Sequence, residues 1–208
     1  MAIDLVILHY TGMHTAVAAL DRLCNPQTSV SAHYLIAEDG TVFRLVKEAK
    51  RAWHAGAGHW CGATNINDRS IGIEMVNPGH EIGYRAFPEV QMVALERLLK
   101  NILSRHPISP ARVVGHSDVA PTRKQDPGEF FNWQRLAAAG LAIWPERLDE
   151  AAPFADLPHL LTAIGYDPLA PLRDVITAFQ RRFVPGLVTG IADATTRATI
   201  AAVYRIPA

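Results

Sequence analysis

The chain has 208 residues, of which 49% are apolar and 19% are charged, and its 20 basic residues are balanced by 20 acidic ones. This neutral balance argues against a nucleic-acid partner, and no apolar run approaches the ~20 residues that span a bilayer. We therefore expect a soluble globular protein without a transmembrane segment.

The N-terminal stretch does not have the features of a secretory signal. It lacks a basic region, and Asp4 interrupts its short apolar run. We expect a cytoplasmic protein unless an export signal has been removed. Cys24 and Cys61 are too few for a disulfide framework and too far apart for a CxxC metal pair, so free thiols are predicted.

Strand and helix patterns alternate through the first two thirds of the chain. This alternation predicts an α/β fold with a mixed sheet and helices on its faces. The hairpin signal Glu38-Asp39-Gly40 joins the second and third strands. In chain order the predicted elements are strands at Ile3–Leu8, His33–Ala37, Thr41–Val46 and Ser70–Val76, a helix at Pro88–Arg105, and a strand at Arg112–Gly115.

The composition changes near Trp144, and the remaining residues read as helices only. Residues 148–155 have the composition of a linker, and residues 156–208 predict three helices, at Leu157–Ile164, around Leu172–Phe183 and at Ala194–Tyr204. We interpret one apolar stripe as the core of this tail; it consists of Leu172, Ile176, Phe179 and Phe183.

Two histidines and one aspartate form a candidate zinc site. His9 and His116 each end a predicted strand, and Asp126 follows ten residues after His116. Two imidazoles and a carboxylate are a common catalytic zinc set that leaves one position for water. Spacing alone is a weak signal here, because a histidine at a strand end also fits a structural hydrogen-bonding role.

Two further charged residues lie in contexts that suit catalysis. Glu74 has apolar neighbours, so it is either a solvent-facing strand residue or a desolvated general base with a raised pKa. Lys124 lies two residues before Asp126 and is either an exposed loop lysine or a member of the same site.

An aromatic segment is the candidate substrate wall. Trp53 and His54 lie among small residues, which suits stacking against a sugar or peptide, although a core tryptophan on a tight turn is the alternative. His33 begins a strand, where it is either support for the site or plain packing. The remaining histidines are interpreted as solvated, namely His14, His59, His80, His106 and His159.

Five ordered motifs carry a family resemblance. They are Val6–Thr11, Val30–Ile36, Ala52–Gly56, Asn67–Glu74 and Gly115–Pro121 continuing to Lys124–Gly128. Over residues 3–147 the chain resembles the bacterial zinc-dependent N-acetylmuramoyl-L-alanine amidases of the AmpD/AmiD type, whose fold is shared with peptidoglycan recognition proteins. Residues 175–183, 190 and 193–196 are similar to the small three-helix peptidoglycan-binding domain of AmiD-type members.

The resemblance implies both an architecture and an activity. It implies a zinc amidase domain at 1–147 with a mixed central sheet, a linker at 148–155, and a small all-α peptidoglycan-binding domain at 156–208. One zinc ion would be bound by His9, His116 and Asp126, with Glu74 and Lys124 as the catalytic pair. Trp53, His54 and His33 are the candidate substrate-binding residues.

The implied reaction is hydrolysis of the amide between N-acetylmuramic acid and L-alanine, in peptidoglycan or in (anhydro-)muropeptides, during cell-wall degradation or recycling. AmiD-type members are exported or lipid-anchored, so the implied compartment is the cell envelope or periplasm if a signal was removed, and otherwise the cytoplasm. If the tail only tethers the enzyme to the wall, a chain cut after Arg147 should still cleave small soluble substrates.

Two other functions remain open at this point. One is a catalytically silent peptidoglycan-recognition module, which the complete ligand set argues against. The other is a zinc peptidase acting within the stem peptide, which the ordered motifs and the helical tail argue against.

Overall fold

The computed structural model describes residues 2–148 and 156–207. The predicted linker, apart from Leu148, lies outside the described residues. Within the described parts, no helix is long and apolar enough to cross a membrane. Cys24 and Cys61 are both free and exposed, as predicted.

A mixed five-stranded sheet lies at the centre of the fold, which confirms the predicted class. Its spatial order is β3-β2-β4-β1-β5. The pair β2–β3 is antiparallel and the other neighbours are parallel. The strands are Leu5–Tyr10 (β1), Tyr34–Ile36 (β2), Val42–Arg44 (β3), Ser70–Met75 (β4) and Val113–Gly115 (β5).

The predicted long helix and the three tail helices are present. Asp193 caps the last of them by accepting a hydrogen bond from the Thr196 backbone N–H at 2.8 Å. The first helix was not predicted, although its Leu20 and Leu23 pack on the hydrophobic cluster that contains Ala19. The helices are Ala16–Cys24 (α1), Ile66–Arg69 (α2), Glu89–Arg105 (α3), His116–Val119 (α4), Trp133–Ala138 (α5), Leu157–Ile164 (α6), Leu172–Phe183 (α7) and Ala194–Tyr204 (α8).

Strand β1 is buried on both faces. Val6 and Leu8 belong to the same hydrophobic cluster as Leu95 of α3. Leu5 and Ile7 point to the opposite face, since side chains alternate along a strand. A central parallel strand covered on both sides therefore has a continuous apolar sequence, as Leu5–Leu8 does.

The C-terminal helices cover the second face of the sheet. Phe179 of α7 and Ile200 of α8 lie in one cluster with Leu5 and Ile7 of β1. The predicted apolar stripe is therefore buried against the sheet rather than within the tail alone, and Leu172 at its start is 41% exposed. The division into two domains with a linker stays a prediction, but the core is shared.

Candidate active site

Three side chains from distant parts of the chain converge at the carboxyl ends of the central strands. The Nδ1 atoms of His9 and His116 lie 2.9 Å apart, and each lies 3.0 Å from Oδ2 of Asp126. All three residues are buried, and their donor atoms are close enough to hold one metal ion. His9 and His116 meet because β1 and β5 are parallel neighbours and their carboxyl ends lie at the same edge of the sheet.

A close backbone contact brings Asp126 to the same place. The Ser117 N–H donates to the Asp126 carbonyl at 2.8 Å, which holds the loop against the start of α4. Gly115 permits this approach, because a Cβ atom there would lie 2.7 Å from Cδ of Pro127.

Hydrogen bonds behind the two histidines fix their tautomers. His116 Nε2 donates to the Ala55 carbonyl at 2.9 Å, which leaves the lone pair of its Nδ1 directed at Asp126 and His9. The Ser70 hydroxyl donates to the Ile66 carbonyl at 2.6 Å and accepts from His54 Nε2 at 3.2 Å. His54 Nδ1 then accepts from His9 Nε2 at 3.0 Å, so His9 Nδ1 also has a free lone pair. This arrangement fits a metal ion, which needs unprotonated ring nitrogens.

The electrostatics of the cluster favour the same protonation states. Burial, together with the neighbouring His116, lowers the pKa of His9 to about 4 and keeps its ring neutral at physiological pH. Burial opposes ionisation of Asp126, but its close interactions with His116 and His9 outweigh burial and lower the pKa of this carboxyl below its usual range.

Glu74 lies beside the cluster as a desolvated carboxylate. It pairs in register with His9 across the parallel strands β4 and β1, so the two side chains project to the same side of the sheet. Its Oε2 atom is buried and has no hydrogen-bond partner among the described residues. Burial, followed by the charge of Asp126, raises the pKa of Glu74 well above its ordinary value. Of the two readings of the sequence, the structure favours the desolvated carboxylate.

A cavity of about 470 Å³ contains these groups and opens to the surface. Lys124 and Trp53 also line it. The ammonium group of Lys124 makes no ion pair or hydrogen bond with any residue that the structure describes, so it is free to meet an incoming anionic group. A triad that could hold a metal ion, a buried carboxylate oxygen without a described partner and a cation therefore share one cavity, an arrangement that suits hydrolysis of an amide.

Comparison with known proteins identifies the class. A family model described as N-acetylmuramoyl-L-alanine amidase matches residues 1–129. The chain belongs to this amidase family. The enzyme class is accordingly an amide hydrolase that cleaves between N-acetylmuramic acid and L-alanine.

The similarity to individual amidases extends through the C-terminal helices. The chain is 40% identical to the amidase AmiD of Escherichia coli, over 94% of this chain and 80% of AmiD. The structure of AmiD with the substrate anhydro-N-acetylmuramic acid-L-Ala-D-gamma-Glu-L-Lys covers 97% of this chain and 88% of its own, with 37% identity and a TM-score of 0.87. AmpDh3 of Pseudomonas aeruginosa in complex with an anhydromuramic pentapeptide covers 96% and 90%, with 34% identity and a TM-score of 0.87.

The three predicted substrate-binding residues of the amidase occupy different environments. Trp53 is 55% exposed at the cavity wall, and the guanidinium carbon of Arg51 lies 4.0 Å from the centre of its ring. His54 lines the cavity, but both of its ring nitrogens are hydrogen-bonded, one to His9 and the other to Ser70. These bonds give His54 a role in orienting His9.

His33 lies outside the lining of the cavity, so the structure does not favour its predicted contact with substrate. Its side chain is buried, with Nδ1 accepting from the Gly72 N–H and Nε2 donating to the Lys50 carbonyl, both at 3.0 Å. The ring therefore joins β4 to the loop before Trp53 and supports the fold.

His80 was interpreted as solvated but lines the cavity. The Tyr10 hydroxyl donates to its Nδ1 at 2.8 Å, and its Nε2 donates to the Glu129 carboxylate at 3.0 Å. Burial of the phenol raises the pKa of Tyr10 to about 12, so the hydroxyl stays a donor. Nothing local in the sequence marks these three residues, because they lie on separate segments that only the fold brings together.

Proposed function

We propose that this amidase works with one zinc ion held by His9, His116 and Asp126. The observation that supports this is the convergence of the two unprotonated Nδ1 atoms and one carboxylate oxygen within 3.0 Å of one another. When bound, zinc would supply the Lewis acidity that polarises the scissile carbonyl and acidifies water.

Glu74 is the proposed general base and acid. Its unpartnered Oε2 accepts a proton from the attacking water while the water oxygen bonds to the lactyl carbonyl carbon. The raised pKa lets the resulting carboxylic acid hold that proton until the C–N bond breaks. Glu74 then delivers it to the departing nitrogen of L-alanine, so the products are a muramic carboxylate and a free amino terminus.

Lys124 is the proposed partner of the developing negative charge. Its ammonium group makes no ion pair with a described residue, and it lies in the same cavity as Glu74, close enough for its charge to act on that carboxylate. The carbonyl oxygen becomes anionic only as the tetrahedral centre forms, so a cation placed there stabilises the transition state more than the substrate.

The proposed substrates are soluble anhydro-muropeptides as well as peptidoglycan. AmiD and AmpDh3, which match almost the whole chain, are known in complex with anhydromuramic peptides. The cavity also presents the exposed Arg22, whose charge complements the carboxylates of a stem peptide. The similarity to AmiD covers 94% of this chain, and resemblance to AmiD-type members implies export. We therefore propose the cell envelope as the place of action.

The test is to incubate the protein separately with purified sacculi and with an anhydro-muropeptide and to identify the products by mass spectrometry. We expect free stem peptides that begin with L-alanine from both pools. Cleavage within the stem peptide would instead indicate a peptidase, and binding without cleavage a silent recognition module. The comparisons do not favour the silent module, because the similar proteins are amidases.

A further inference from the structure

A buried polar cluster joins the C-terminal helices to the segment that carries His116. We call it the Asp118 cluster; it consists of Asp118, Tyr166 and Arg182. The Tyr166 hydroxyl donates to Asp118 Oδ1 at 2.7 Å, and Arg182 Nη1 donates to Oδ2 at 3.0 Å. Asp118 is 1% exposed and Arg182 is 2% exposed, so this is a fully desolvated ion pair.

The cluster holds the backbone on both sides of His116. On the C-terminal side, Asp118 lies in α4, and its Oδ2 also accepts from the Gly115 N–H at 2.8 Å. On the N-terminal side, Arg182 Nη2 donates to the Val113 carbonyl of β5 at 3.2 Å. His116 thus lies in a short segment whose two ends are both tied to α7.

The guanidinium group of Arg182 reaches this segment with one of its own N–H groups left without a hydrogen bond to a described residue. Its guanidinium carbon lies 4.3 Å from the ring centre of Trp133. Its Nε is buried without a hydrogen-bond partner among the described residues. Since a buried unsatisfied donor is unfavourable, the guanidinium gives up one bond of its own to reach Asp118 and Val113.

The segment needs this support, because α4 contains only the four residues His116–Val119. A single helical turn is not stable by itself. A metal ligand, by contrast, must be held to within about 0.5 Å of its productive position by the residues behind it.

We propose that Tyr166 and Arg182 are positioning residues for His116 that act through Asp118, so that the C-terminal helices are part of the metal site. This inference rests on the proposed zinc-dependent function. It differs from a tethering role, because tethering would leave the affinity for zinc unchanged.

The decisive variant is Tyr166→Phe, which removes one hydroxyl and retains the ring packed against Trp60. Arg182→Lys keeps the charge, and Arg182→Met removes it. The matched control is Ile200→Val, which removes one methylene from the same hydrophobic cluster at a fully buried position on α8. For each full-length protein we would measure the zinc dissociation constant by chelator competition, the melting temperature, and kcat and KM on an anhydro-muropeptide.

We expect Tyr166→Phe to weaken zinc binding by about tenfold, the low end of the range for groups behind a metal ligand, because Tyr166 acts on His116 only through Asp118, and we expect it to lower kcat more than it changes KM. Arg182→Lys should bind zinc more tightly than Arg182→Met, and Ile200→Val should bind zinc as wild type does. Zinc affinity unchanged in Tyr166→Phe, or weakened equally in Ile200→Val, would overturn the inference. The zinc measurements use the metal alone, so they test the positioning role of Tyr166 and Arg182 independently of catalysis. A wild-type protein that binds zinc but cleaves no muropeptide would refute only the proposed function.

Discussion

His9 and Glu74 occupy paired positions on the neighbouring parallel strands β1 and β4. Strand register therefore brings together a histidine of the proposed metal site and a carboxylate whose Oε2 has no partner among the described residues. A rigid strand holds a side chain more precisely than a loop does, so the proposed base should keep its distance from the metal.

Metal content should depend on the three proposed ligands. We expect about one zinc per chain in protein prepared without chelator, and a loss of most of it in His9→Ala or His116→Ala, because two ligands do not complete a catalytic site. Elemental analysis measures the content. His14→Ala is the control, since His14 is exposed on the adjoining loop; stoichiometric zinc in both ligand variants would contradict the site.

Glu74→Gln should remove the proton acceptor without disturbing the metal. We expect kcat to fall by about 100- to 10,000-fold, the range for a positioned acid–base group, with zinc content unchanged. Steady-state kinetics on an anhydro-muropeptide measures the effect. Glu81→Gln is the control, because Glu81 is an exposed carboxylate on the same cavity wall. Turnover near the wild-type level would assign Glu74 to structure.

The raised pKa of Glu74 also predicts a pH-dependent cost in stability for the metal-free protein. A carboxyl whose pKa is raised on folding contributes its stability below the unfolded-state pKa and loses it as the pH rises toward the folded-state value. Glu74→Gln should therefore gain melting temperature relative to wild type as the pH increases from about 4.5 to 7.5. A difference in melting temperature between the two proteins that is constant with pH would show that folding does not raise the pKa of Glu74.

His54 and Trp53 should separate metal binding from substrate binding. His54→Phe removes the acceptor behind His9 Nε2, so we expect zinc affinity to fall by about 10- to 100-fold. Trp53→Ala should leave zinc affinity unchanged and raise KM by about two- to tenfold, the loss expected for one aromatic stacking contact. Chelator competition and steady-state kinetics give the two quantities. An unaltered zinc affinity in His54→Phe would instead assign His54 to substrate contact.

The sequence predicts what local patterns encode. Short apolar runs and a helical pattern locate the strands and α3. The ordered motifs gather His9, His116 and Asp126 although the first lies 107 and 117 residues from the other two. The ion pair of Arg182 with Asp118 leaves no such pattern, because it joins residues 64 positions apart on different elements. The position of His33 is equally hidden, since its backbone partners carry no residue-type signal.

The chain cut after Arg147 gives the sharpest test of how the two halves depend on each other. A tail that only tethers the enzyme would leave this fragment able to cleave soluble substrates, but in the structure the cut would expose the apolar face formed by Leu5, Ile7 and Val114. It would also leave Asp118 without Tyr166 and Arg182, and a buried charge that loses its partner is strongly destabilising.

We therefore expect residues 1–147 alone to melt without cooperativity or to aggregate, as followed by circular dichroism and size-exclusion chromatography. The control is the full chain with a protease site placed within residues 149–155 and cleaved after folding. Because the cleaved halves still share one hydrophobic cluster, they should stay associated and keep their zinc and their activity. A fragment 1–147 that melts cooperatively and turns over an anhydro-muropeptide as the cleaved control does would show that the C-terminal helices are dispensable for the catalytic fold.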